Sequence, residues 1–338
     1  KMPATTQKSN IKVKNMAYKS SDYQKAINIL ERRREKAVLD AENRRQEIMQ
    51  KIPEIKNIQT KLSAIGISIS KCFFDKNNNE SELKKLEAAS LALQKKRAEI
   101  LKENGYEADA LSENYFCPAC KDTGYCNNRL CSCHKEILKE NQRNALRRIA
   151  PLDECTFDSF DIRYYSDKVM ENAVSPRQKA QKILESCRRY AQTFHEHSPN
   201  LMFMGKTGLG KTHLSLAIAN VAINNGFSVV YGTSQNILSD LQSENFGRTE
   251  NIYYNEHDVL NTDLLIMDDL GTEYMNAYSI ACLYNIINTR ILKKRPVIIS
   301  TNFDFNQFNK IYDSRITSRI AGEYSTLILE GEDIRYIK

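Results

Sequence analysis

GKTGLGKTH, residues 205–213, follows the apolar run Leu201-Met-Phe-Met204 and precedes a segment in which Leu214, Ala217, Ile218 and Val221 recur at helical spacing. Strand, glycine-rich turn and helix in that order make a phosphate loop of the GxxxxGK[ST] form. Gly205, Gly208 and Gly210 let the backbone bend tightly and aim its N–H groups at phosphate oxygens, Lys211 reaches the β and γ oxygens, and the Thr212 hydroxyl ligates Mg²⁺. The helix N-terminus adds partial positive charge facing the anion. His213 completes the expected nucleotide-binding set, whose cofactors are ATP and Mg²⁺.

Outward from this loop, the second half of the chain alternates short apolar runs with loops or helical stretches: NLMFMG, SVVYGT, TDLLIMDD, PVIISTN and STLILEG. That rhythm is βαβ, which predicts an α/β fold with a mainly parallel sheet and helices on both faces. The third run ends in Asp268 and Asp269, a pair suited to hold Mg²⁺ through the first carboxylate and polarise a water through the second. The fourth run brings Asn302 to the same carboxyl edge, where ligands bind in such sheets, and where it can orient that water toward the γ-phosphate. Further on, DSRITSR (313–319) puts Arg315 and Arg319 on one helical face. An arginine offered across a subunit boundary neutralises charge developing on the γ-phosphate, so either is a candidate finger. Too few residues follow Arg319 for a full helical lid, which leaves Arg335 as the late cation able to touch nucleotide from its own subunit.

The first half reads differently. Tyr23, Ile27, Leu30, Ala37, Ala41, Ile48 and Ile52 keep a three-four spacing from a capping box at Ser21 and Gln24 to the breaker Pro53. Ile55 to Ile69 and Leu83 to Ile100 mark two more helices, separated by the polar turn DKNNNES and closed by Gly105. The stripes are narrow and the remaining faces charged, which suits a helical hairpin that docks a partner or dimerises. Then FCPACKDTGYCNNRLCSCHKE, residues 116–136, holds five of the nine cysteines and one of the five histidines. Cys117 and Cys120 have the spacing of a zinc knuckle and Cys131 with Cys133 supplies a second pair, predicting a structural Zn²⁺. Cys126 and His134 stand close enough to be alternatives, His134 in place of Cys133. No HExxH or HxE element accompanies them, so a catalytic zinc is not expected. Cys72, Cys155, Cys187 and Cys282 read as isolated, buried thiols.

In sequence the motifs resemble one family, the AAA+ ATPases of the DnaC/DnaI type that load the replicative helicase in bacteria and their phages. GKTGLGKTHL, DLLIMDDLGTE, INTRILKKRPVIISTN and SRITSRI are similar to its Walker A, Walker B, sensor 1 and arginine-finger segments, and ERRREKAVLDAENRRQEI, KIPEI and CPACKDTGY are similar to its upstream parts. The resemblance implies nucleotide roles for Lys211, Thr212, Asp268, Asp269 and Asn302, a finger at Arg319 and a sensor 2 role for Arg335. It also implies ATP hydrolysis that is weak alone and stimulated on assembly, a helical domain that grips a hexameric helicase, self-association there, and binding of single-stranded DNA. IstB-type transposition ATPases share the ATPase motifs but usually lack the cysteine cluster; an adaptor that ATP merely locks is the third reading.

The expected organisation is a basic disordered tail (1–19), a helical and zinc-binding helicase-docking domain (20–136), a linker (137–165) and an AAA+ domain with minimal lid (166–338). Within the last, the long connection Gln235 to Asp263 carries Phe246, Arg248, Tyr253 and Tyr254, which either stack on unpaired bases or pack on the sheet. A chain of 338 residues with 41% hydrophobic and 27% charged residues is an ordinary globular composition, and a net charge of +7 permits nucleic acid without demanding it. No apolar run approaches a membrane span and the first twenty residues lack an apolar signal segment, so the expected location is the cytoplasm. Reduced thiols there favour metal over disulfide.

Overall fold

The computed structural model describes residues 18, 20–74, 80–169, 174–248, 252–274 and 276–336. The expected tail, Tyr18 apart, and most of the DKNNNES turn lie outside the described residues. The chain divides into two compact units, 27–134 and, together, 1–26 with 135–338.

In the smaller unit Pro53 separates α1 (Ser20–Lys51) from α2 (Pro53–Phe74). A proline at the first helical position gives up only an N–H that the helix leaves unused. Ser21 lies inside α1 rather than at its cap, because the helix already includes Ser20. After a short link α3 (Glu80–Glu103) returns along α2, with Lys96 paired to Glu54 and Arg97 donating to Gln59. Ile48, Ile52, Ile55, Ile58, Ile100, Leu101 and Leu111 close its core, so the three-four stripes meet as their spacing requires. The two-residue strands β1 (Tyr125–Cys126) and β2 (Arg129–Leu130) pair antiparallel between the cysteine pairs.

After α4 (Ser132–Arg147) and α5 (Pro176–Gln192), the larger unit alternates as expected. Its elements are β3 (Asn200–Met204), α6 (Lys211–Asn224), β4 (Val229–Thr233), α7 (Ser234–Asn245), α8 (Glu256–Asn261), β5 (Leu264–Leu270), α9 (Ala277–Leu292), β6 (Val297–Thr301), α10 (Phe305–Ile311), α11 (Ser314–Glu323) and β7 (Tyr324–Ile328). The strands form one parallel sheet in the order β4-β5-β6-β3-β7, the AAA+ P-loop arrangement. Side chains alternate between its faces with the period of two that a strand imposes. Leu201, Phe203, Leu264, Ile266 and Ile298 pack with α5 and α6, whereas Met202, Met204, Leu265, Met267, Val297 and Ile299 pack with α7, α9 and α11. Arg290 of α9 is wholly buried and donates to the carbonyls of Val259, Thr262 and Pro296, tying α8 and the approaches to β5 and β6 together. Burial pulls its pKa down to about 9.

The linker expectation is corrected here. Residues 137–165 are no linker: Leu146, Ala150, Leu152, Cys155, Phe160 and Tyr165 sit in the same apolar cluster as α5 and α6. Their apolar residues follow no single period, so the sequence pattern hid their burial. Of the two readings open for 235–263, Tyr254 takes the packed one, 4% exposed with its hydroxyl donating to the Tyr231 carbonyl, while Phe246 is 67% exposed. Of the isolated thiols, Cys155 and Cys187 are buried and Cys72 and Cys282 half-buried. No described helix is long and apolar enough to cross a membrane.

Candidate nucleotide-binding site

β3 delivers the chain into the phosphate loop, and each loop glycine meets a different neighbour. A Cβ on Gly205 would lie 2.2 Å from the Leu329 carbonyl oxygen, one on Gly208 1.7 Å from the Asp333 carboxylate, and one on Gly210 2.6 Å from the Phe160 ring. All three have positive φ, at 138°, 73° and 77°. Glycine is therefore required at all three for backbone conformation, and at Gly205 also for space, since the Leu329 carbonyl belongs to the main chain. The loop is wedged between the segment after β7, where the Ile334 N–H donates to the Gly208 carbonyl, and Tyr165, whose hydroxyl donates to the Leu209 carbonyl.

The polar groups converge as one network. Lys211 Nζ donates to the carbonyls of Gly205 and Lys206, each at 2.8 Å, and to Asn302 Oδ1 at 2.7 Å. Burial lowers its pKa, against the pull of Asp269 and Asp268. The Thr212 and Tyr231 hydroxyls each donate to Asp268 Oδ2 at 2.8 Å, and Ser300 donates to Oδ1. Asp268 is thus buried and accepts three hydrogen bonds, a carboxylate held in one orientation. At its neighbour the β5–β6 register slips between Met267 and Leu270, and Asp269 takes φ 50°. Such a bulge re-aims a side chain, and here its N–H donates to Ser300 Oγ while the carboxylate accepts from Asn302 Nδ2 at 3.4 Å. Burial first and Asp268 second raise the Asp269 pKa. Asn302 therefore bridges cation and anion, its oxygen toward Lys211 and its amide toward Asp269.

A cleft of about 490 Å³ opens over this network, lined by Thr207–His213, Asp269, Asn302, Ile334 and Arg335 and, on the other side, by Glu154, Cys155, Ser159, Phe160, Asp161 and Tyr164. Arg335 stands exposed at its rim, its N–H donating to Asp333 Oδ1. Phe160, Asp161 and Tyr164 were missed as site residues. Their signal was the aromatic and acidic end of the supposed linker, FDSFDIRYY. His213 borders the cleft, but its ring nitrogen Nε2 lies 2.7 Å from the Thr156 carbonyl. Arg319 is not among the lining residues: it donates to the Tyr284 hydroxyl and lies over that ring, and Arg315 is held bidentate by Asp313.

In the smaller unit the sulfurs of Cys117, Cys120, Cys131 and Cys133 lie within 4.8 Å of one another. Asp122, buried and at positive φ, shapes the first knuckle by accepting from the N–H groups of Phe116 and Cys117. The backbone N–H of Cys133 lowers the pKa of the Cys131 thiol. Four converging thiols are a donor set compatible with tetrahedral zinc. Cys126 turns instead to the Ala119 carbonyl, and the buried His134 imidazole packs edge-on to Tyr125.

Among known families, the model described as IstB-like ATP binding protein matches residues 142–322. The replicative helicase loader DnaC of Escherichia coli strain K12 is 31% identical over 187 residues, 54% of this chain and 73% of that protein. DnaC of Buchnera aphidicola from Acyrthosiphon pisum is 26% identical over 215 residues, 60% of this chain and 82% of its own length. Two solved structures are also similar: a DnaC helicase loader (TM-score 0.44, 19% identity, 53% of this chain and 99% of that one) and DnaI (TM-score 0.41, 19% identity, 55% and 93%).

Proposed function

The chain belongs to the family of ATP-binding AAA+ proteins that takes in IstB and the helicase loader DnaC, and from that premise we propose that it is an ATP-dependent loader of a replicative DNA helicase. It binds the hexameric helicase, self-associates on it and helps place it on single-stranded DNA, converting ATP and water to ADP and phosphate, weakly alone and faster on assembly. The observation that carries the hydrolytic part is the network joining Lys211, Asn302 and Asp269 beside the Thr212–Asp268 pair in one cleft. When bound, Mg²⁺ would be held by Thr212 and Asp268 and would offset charge on the phosphate oxygens. Lys211 meets the β and γ oxygens, exchanging its present acceptors for phosphate. Asp269 polarises the attacking water at its carboxylate, with Asn302 fixing the carboxylate's direction. Gly205, Gly208, Gly210, His213 and Arg335 shape the pocket, and Arg319, lying outside its own cleft, serves the neighbouring subunit. The cysteine quartet holds zinc as a folding element of the helicase-gripping unit.

The test is helicase loading on circular single-stranded DNA carrying an annealed oligonucleotide, which only a ring opened or held open can encircle. Wild-type protein with ATP should release the oligonucleotide and Lys211→Ala should not. Absence of release, together with no association with a replicative helicase, would remove the proposal. The IstB-like description of the matching family model supports a second reading, an ATPase assisting a transposase. Stimulation of a transposase in place of a helicase would select it. Full loading by an Asp269→Asn chain that binds ATP without turnover would select an ATP-locked adaptor.

A further inference from the structure

The imidazole of His213, the residue after the Mg²⁺-binding threonine, is turned away from the phosphate end of the cleft. Its Nε2 lies 2.7 Å from the Thr156 carbonyl oxygen and 3.3 Å from Ser159 Oγ. A carbonyl can only accept, so Nε2 carries the proton and donates. The ring also meets Phe160 edge-on, with centroids 5.4 Å apart. Seven positions along α6, on the same face, Asn220 Nδ2 donates to the carbonyls of Leu152 and Cys155. One polar seam of α6 therefore holds the whole 152–156 segment through its carbonyls. The turn beyond is knit to itself, Ser159 Oγ donating to the Glu154 carbonyl and accepting from the Thr156 N–H. The turn leads into the cleft wall, to which Ser159, Phe160, Asp161 and Tyr164 belong.

We propose that His213 is a positioning residue that sets the wall at residues 154–164 against the first turn of α6, fixing where the base of the nucleotide is held relative to its phosphates. The proposal rests on the cleft being the ATP site. His213 touches neither end of the ligand; it fixes the distance between the groups that do. Asn220 holds the same segment two turns away, outside the cleft, and so separates a local effect on the wall from a general loss of packing.

The experiment compares ATP with inorganic tripolyphosphate, which has the phosphates and no base, by calorimetry on the full-length protein with Mg²⁺. His213→Ala should weaken ATP binding roughly tenfold, the effect of losing about one well-made hydrogen bond, and leave tripolyphosphate affinity unchanged. His213→Gln, which keeps a donor of similar reach, should recover most of the ATP affinity. Asn220→Ala should lower Tm and leave the ratio of the two affinities at the wild-type value. Equal losses for both ligands in His213→Ala would place the imidazole with the phosphates, and no loss for either would remove it from binding; both overturn the proposal. Failure of the wild-type protein to bind ATP would instead overturn the reading of the cleft.

Discussion

At the scale of the residue, Asp269 bears a charge that its fold disfavours. Its pKa is raised because burial and Asp268 outweigh Lys211 and Asn302, so the folded state binds a proton more readily than the unfolded chain. Above both pKa values the ionised carboxylate therefore costs stability, and that cost vanishes as pH falls through the raised value and then the unfolded one. Asp269→Asn should accordingly raise Tm near neutrality, with the gain over wild type shrinking toward acid, while ATP binding survives and hydrolysis is lost. Scanning fluorimetry across pH, beside a phosphate-release assay, checks both; hydrolysis at the parent rate would show that Asp269 does not act on the water. Gly208 offers a second test. Gly208→Ala brings strain of about 1 kcal/mol for the left-handed backbone and a clash with Asp333. ATP affinity should fall, and Asp333→Ala in the same chain should relieve the clash and recover only part of the loss, as titration of a fluorescent nucleotide would measure.

Among the elements, α9 is anchored by a cation to which no carboxylate of the described residues is hydrogen-bonded. Arg290→Leu would remove the guanidinium from the carbonyls of Val259, Thr262 and Pro296, of which Pro296 keeps the Leu265 N–H. At about 1–3 kcal/mol for each buried group left unpaired, the destabilisation should reach about 2 kcal/mol or more. Urea unfolding followed by circular dichroism reads it, and a change below 1 kcal/mol would mean that water replaces the guanidinium. The cysteine hairpin is the opposite case. Strands of two residues cannot hold themselves together, so the proposed zinc would supply the folding energy of residues 116–134. Protein purified reduced and without chelator should contain about one zinc per chain. Cys117→Ser should lose the metal and open this segment to protease while ATP binding persists; intact metal content in that variant would exclude Cys117 as a ligand.

For the whole molecule, the position of Arg319 matters more than its surroundings. It lies over Tyr284 and is not among the residues that line its own chain's cleft, so its proposed partner is nucleotide on another copy. Arg319→Ala should leave nucleotide affinity nearly unchanged and remove the assembly-stimulated part of hydrolysis, where fingers contribute roughly 10³ to 10⁵ in rate. Mixing Arg319→Ala with Lys211→Ala chains should restore some activity, since each supplies the intact half of a shared site. Mixtures that co-assemble without recovery would move the finger to Arg315 or abolish it.

The sequence by itself determined the sheet, the phosphate loop and the ends of β5 and β6, because strand period, glycine spacing and polar strand termini are local signals that survive in one dimension. It also marked the helical hairpin, through its three-four stripes, and the four thiols of the knuckle, with Cys126 and His134 left as alternatives. Only the tertiary structure decided what Phe160, Tyr164 and Ile334 do. They come from segments without a period, about fifty residues before the loop and over a hundred after it, and meet only when α6 and the strap after β7 pack around the glycines. The same holds for His213 and Arg290, whose residue types announce phosphate chemistry or a solvated charge. Their hydrogen bonds go to backbone carbonyls instead, and which carbonyls a side chain meets is settled by packing.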